Sequence, residues 1–188
     1  MFIGISFRVL GTSIGNTDRI LAFDVSGSCT GWAFGLYGKL EDYGKYIQKQ
    51  SGSKGKKLAQ FANWLTSLLE AKKPTVILIE KPYRGRNSNV LANLSKFIAI
   101  VELCAYLTLD LELEDSWFLD PRSIKRALQV QKGKDYDDNK KIMVNKINTL
   151  FGLKLKYSQK KSKKLSDDDV ADAIAILVAF WSRDDNET

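Results

Sequence analysis

The chain has 188 residues, of which 44% are hydrophobic. That is enough to bury one substantial core but not two independent ones, so a single compact domain is expected. The 29 basic and 22 acidic side chains leave a net charge of +7 and a pI near 9.3, a balance that suits a polyanionic partner without proving one. There is no histidine, and Cys29 and Cys104 lie far apart, which argues against a zinc site and a disulfide framework and for a reducing compartment.

Residues 1–19 lack the charged lead, long apolar run and cleavage site of a signal peptide and read as an N-terminal extension to a domain spanning 20–183. Residues 184–188 are a polar tail. Ile20–Phe23 is a short apolar run that ends at Asp24 and is followed by a turn rich in small residues, as expected of a buried strand. Gly31–Leu36 and Tyr43–Ile47 read as two further strands, split by a turn at Gly38-Lys39, which predicts an antiparallel meander. From Lys54 to Ala71, Leu58, Phe61, Leu65, Leu68 and Leu69 fall at helical spacing, with Pro74 closing the segment. Thr75–Ile79 is β-branched and aliphatic throughout, the pattern of a strand buried on both faces, and delivers Glu80 at its end.

Ser88–Leu107 reads as a long amphipathic helix whose apolar stripe is widened by Ile100 and Leu103, which fits a second buried face. Trp117–Leu119 is a last short strand. Pro121 can open a helix running through Leu128, and Lys140–Leu150 supplies another. A basic tract from Lys154 to Lys164 precedes a final helix that begins near Asp167. Apolar stretches such as Ile174–Trp181 fall short of the roughly 20 residues needed to cross a bilayer, so no transmembrane helix is expected. The order β-β-β-α-β-α-β-α-α, followed by the final helix, points to an α/β domain with a five-stranded mixed sheet flanked by helices, of ribonuclease H-like type.

The acidic residues suggest the chemistry. Asp24 alone reads equally well as the start of an Asx turn. Glu80 closes the most apolar strand, where a carboxylate needs water, a cation or a metal, and the neighbouring Lys81 should point to the opposite side of an extended segment. In Ser166-Asp-Asp-Asp-Val-Ala-Asp172, a capping box between Ser166 and Asp169 and the helix dipole account for the first three aspartates but not for Asp172 among alanines. Asp169 and Asp172, three residues apart, share a helical face and repel unless a cation lies between them. Four carboxylates without histidine favour Mg²⁺, with Mn²⁺ as a substitute, over zinc. Two such ions in one site would support phosphodiester hydrolysis.

On these residues the sequence resembles the RuvC family of Holliday junction resolvases, across about residues 20–181. Asp24 with Thr30-Gly31 resembles the family's first-strand aspartate and its threonine-glycine pair. Glu80 matches its strand-closing glutamate, and Asp169-Val-Ala-Asp172-Ala its D-x-x-D-A helix motif. The resemblance implies a metal-dependent endonuclease in which Asp24, Glu80, Asp169 and Asp172 hold two Mg²⁺ ions. It places Lys125 and Lys140 near the scissile phosphate and Tyr83 near the junction crossover. Arg84 and Arg86 in the same loop, with Lys160, Lys161, Lys163 and Lys164 of the basic tract, are candidate DNA contacts. The partners implied are branched DNA (four-way junctions, with flaps or forks also considered) and a second copy of the chain docked on the Ser88–Leu107 helix. Val25-Ser26 in place of the common proline-glycine pair, the leading extension and the lysine-rich insertion resemble viral members, which implies a cytoplasmic location, in a host cell if viral. Two rival readings remain open: an actin-like or sugar-kinase ATPase, which needs two lobes, and a non-catalytic DNA-binding module on the same fold.

Overall fold

The computed structural model describes residues 7–8, 13–14, 17–49, 51–82, 88–159 and 165–183. Within the N-terminal extension, β1 (Phe7–Arg8) and β2 (Ser13–Ile14) form a short antiparallel pair. The domain proper then runs through β3 (Ile20–Asp24), β4 (Cys29–Leu36), β5 (Lys39–Ile47), α1 (Lys54–Lys72) and β6 (Val76–Glu80). It continues through α2 (Ser88–Leu109), β7 (Phe118–Leu119), α3 (Pro121–Ala127), α4 (Tyr136–Phe151) and α5 (Asp168–Trp181). Strands β3 to β7 make one five-stranded sheet in the order β5-β4-β3-β6-β7. The meander β3-β4-β5 is antiparallel, whereas β6 and β7 lie parallel to β3. This is the mixed sheet flanked by helices that the sequence predicts.

Strand alternation sorts the core into two layers. Leu21, Phe23, Phe34, Ile77 and Ile79 face one side, where α1 (Phe61, Leu65, Leu69) and α2 (Phe97, Ile98, Val101) cover them. Ile20, Ala22, Ala33, Val76 and Leu78 face the other, against α5, with α3 (Ile124) and α4 (Met143, Val144, Ile147) completing the layer. Helix α5 is apolar on nearly every side because it is enclosed by the sheet on one flank and by α3 and α4 on the other, and it stays buried through Trp181.

Several boundaries move for stated reasons. Helix α4 starts at Tyr136, four residues ahead of Lys140, because its first turn is polar: Asp135 caps it, accepting from the Asp138 amide at 2.8 Å. Apolar periodicity cannot see such a turn. Strands β4 and β5 begin earlier than predicted and meet in a tight turn at Gly38, whose φ of 72° lies in the left-handed region. By length and composition alone helix α2 would suffice to span a membrane, with a mean hydropathy of 1.7 over its best window. One of its faces is packed into the domain core, while Leu103, Tyr106 and Leu107 are exposed.

Candidate active site

Strand register explains how two of the carboxylates come together. Strands β3 and β6 are parallel neighbours with Phe23 opposite Ile79, so Asp24 and Glu80 end adjacent strands one step further on. By alternation both share the parity of Ala22 and Leu78, and therefore face α5; this is the carboxyl edge of the parallel strands, where α/β sheets bind ligands. Lys81 takes the opposite parity.

The turn after Asp24 is stitched by hydroxyls. The Ser26 hydroxyl donates to the Cys29 carbonyl at 2.5 Å and accepts from the Cys29 amide at 3.1 Å. The buried Thr30 hydroxyl donates to the Ser26 carbonyl at 3.3 Å. Gly31, which pairs with Asp24 across the hairpin, lies against the first turn of α5: a Cβ there would stand 1.8 Å from the Asp169 carbonyl oxygen. The threonine-glycine pair thus has two duties, shaping the turn and letting the helix approach.

The beginning of α5 is held in a way the sequence did not indicate. The capping box between Ser166 and Asp169 is absent: Asp167 occupies the cap position and makes no side-chain bond to the helix. Its carboxylate instead accepts from Lys45 Nζ at 2.8 Å and from the Lys156 amide at 3.0 Å. Lys45 also donates to the Ser166 carbonyl at 2.6 Å. Burial alone would raise the Asp167 carboxyl, but the Lys45 and Lys156 hydrogen bonds outweigh it and hold it below the usual carboxylate range. Lys45 lies opposite Gly31 in the β4–β5 ladder, so one position on the sheet both admits α5 and ties it down. Alternating polarity along β5 gave no sign that one of its lysines would serve this purpose.

Asp24, Glu80, Asp169 and Asp172 line one cavity of about 400 Å³, together with Ser26, Lys125, Tyr136, Asn139 and Lys140. All four acidic residues singled out in the sequence are therefore brought together from three distant elements, and both lysines join them. Asp168, assigned in the sequence to the helix dipole, is buried one turn before Asp172 and lies 3.7 Å from Lys140 Nζ. Tyr83, Arg84, Arg86, Lys160, Lys161, Lys163 and Lys164 lie outside the described residues.

The electrostatics are those of a site with surplus negative charge. Burial, followed by repulsion from Asp172 and then from Glu80 and Asp169, pushes the Asp24 carboxyl well above its ordinary value, while Lys140 opposes the rise. Asp172 is likewise raised, again mainly by burial. The cation that the α5 carboxylates require is present as the Lys140 ammonium, which is paired with Asp172. Burial by itself would pull the Lys140 amine down, but Asp172 and Asp24 together push it far up, so it stays charged.

Among the described residues no three of these carboxylates converge at ligating distance from one point. The donor set nevertheless fits a hard divalent cation: it consists of oxygen donors only, it is partly desolvated, and two of its members are destabilised by their own charges.

No protein-family model matches the sequence, and no curated protein matches it. Solved structures do. Thermus thermophilus RuvC in complex with a Holliday junction substrate superposes with a TM-score of 0.64 at 13% identity, over 86% of this chain and 91% of that one. Its fold is that of the RuvC-type Holliday junction resolvases. The yeast mitochondrial Holliday junction resolvase superposes on this RuvC-like domain with a TM-score of 0.57 at 16% identity, covering 88% of this chain and 78% of its own. For the fowlpox virus resolvase in complex with Holliday junction DNA the TM-score is 0.50 at 19% identity, over 87% of this chain and 96% of that one.

Proposed function

We propose that this protein is a metal-dependent endonuclease that cuts branched DNA, with four-way junctions as its principal substrate. The observation that carries the reading is the cavity in which Asp24, Glu80, Asp169 and Asp172 meet Lys125 and Lys140 on a RuvC-type scaffold. The four carboxylates are assigned as ligands of two Mg²⁺ ions, with Mn²⁺ as a substitute. Bound there, the ions supply a nucleophilic water at neutral pH and Lewis acidity toward the leaving 3′ oxygen.

The chain's own residues do the rest. Lys125, exposed at the cavity mouth, holds a phosphate oxygen and offsets charge developing on phosphorus. Lys140 keeps the carboxylates neutralised before the cation arrives and is then available to the phosphate. Asp168 shares that ammonium and keeps it close to α5. The exposed Leu103, Tyr106 and Leu107 of α2 form the surface on which a second copy docks, which would present two sites to two opposed strands.

The test is cleavage of a synthetic four-way junction by purified protein in Mg²⁺ or Mn²⁺, with linear duplex, flap and fork as comparisons. Asp24→Asn and Glu80→Gln should abolish cleavage while retaining junction binding. Normal cleavage by both variants would falsify the assignment.

A further inference from the structure

From the geometry of the α4 start we infer that Tyr136 is a stacking platform for the nucleobase adjacent to the scissile phosphate. This inference deepens the nuclease reading and rests on it. Tyr136 is the first residue of α4, it lines the same cavity as the four carboxylates, and it is 71% exposed. A tyrosine turned to water on an ordinary surface needs no explanation. This one stands at the mouth of a charged cavity on a segment built to hold it there.

The segment is tied at four points. The Gly133 amide donates to Asn139 Oδ1 at 3.0 Å, the Lys134 amide to Asp138 Oδ2 at 2.9 Å and the Asp138 amide to Asp135 Oδ1 at 2.8 Å. The Tyr157 hydroxyl donates to Asp137 Oδ1 at 2.8 Å. Gly133 is required for this closure, because a Cβ there would lie 2.8 Å from the Asn139 backbone nitrogen. A backbone fixed in this way presents the ring without a further ordering penalty on binding.

The ring's orientation follows from Lys140, whose Nζ lies over it, 5.8 Å from the centroid. One face is therefore turned to the ammonium that is paired with Asp172, leaving the opposite face for a ligand. Lys132 and Lys134 are exposed on the segment just before it, and Lys125 lines the same cavity, so cations suited to backbone phosphates accompany the ring. Stacking on an aromatic face, flanked by backbone contacts, is how single strands and unpaired bases are held regardless of their identity. A base seated on Tyr136 places its own phosphate at the rim of the carboxylate cluster.

The experiment uses the full chain carrying Asp24→Asn, in Mg²⁺, with a four-way junction bearing 2-aminopurine next to the crossover. Binding should quench the fluorophore. Adding Tyr136→Ala should remove the quench and weaken affinity roughly 10-fold. Tyr136→Phe should preserve both, and Tyr136→Leu should behave like the alanine variant although it fills similar space. Urea midpoints should agree across the Tyr136 variants, which separates stacking from a structural role. If leucine serves as well as phenylalanine, or if the alanine variant quenches and binds like its parent, the inference falls while the nuclease reading stands. If the parent does not bind the junction and the unmutated protein does not cut it, both fall together.

Discussion

Gly31→Ala tests whether the active site is set by how closely α5 approaches the sheet. The new methyl carbon would stand 1.8 Å from the Asp169 carbonyl oxygen, 2.2 Å from its carbon and 2.8 Å from the Val170 nitrogen. All three are backbone atoms, so no side chain can rotate out of the way. Either α5 or β4 must retreat by more than about 1 Å to reach even a tight contact, and overpacking of this kind costs about 1–3 kcal/mol. For a domain of this size that lowers Tm by roughly 2–12 °C. Because β4 is paired on both edges within the sheet, α5 is the element expected to move, and it carries Asp169 and Asp172 away from Asp24 on β3. A misplacement of that size in a catalytic constellation costs about 100-fold in rate. The assay is single-turnover cleavage of a four-way junction, at a temperature where the variant is folded, alongside thermal melting. Gly55→Ala is the control: nothing lies within 4 Å of its Cβ on α1, and it should leave cleavage unchanged. If Gly31→Ala melts and cuts like the unmutated chain, the close packing of α5 on Gly31 is wrong, and with it the account of how the site is assembled.

Lys45→Met should cost about 1–3 kcal/mol at neutral pH, since Asp167 and the Ser166 carbonyl both lose the lysine as a donor. Asp167 has its folded value below its unfolded one, so its stability contribution is present above about pH 4 and is lost as pH falls; the variant should therefore show a flatter acid limb in urea titrations. Asp24 is shifted the other way, and a raised carboxyl contributes stability only below its unfolded value, losing it as pH rises through the folded one. Metal-free Asp24→Asn should consequently be more stable than the unmutated chain at pH 7, by an amount that vanishes below about pH 4; a constant difference across that range would contradict the assignment. Lys140→Met removes the cation shared by Asp168 and Asp172. In EDTA it should melt lower than the unmutated chain, and it should gain more from added Mg²⁺; equal Mg²⁺ shifts for the two proteins would show that the ammonium and the ion do not compete.

Periodicity and turn signals determined the order and type of the main elements. The unbroken apolar runs of β3 and β6 fixed them as central strands, and the helical spacing in α1 and α2 fixed their buried faces. The acidic residues at strand ends and within an otherwise apolar helix marked Asp24, Glu80 and Asp172 as costly, and cost is visible in one dimension because it depends on neighbours in sequence. What the sequence could not express is which elements touch. The role of Lys45 depends on β5 lying beside β4, the strand against which the start of α5 packs. Asp168 meets Lys140 because α4 packs on α5, and Tyr136 becomes part of the cavity because a polar cap starts α4 earlier than the apolar pattern indicates. Each is a contact between segments distant along the chain, and such contacts exist only once the sheet order and the helix layers are set.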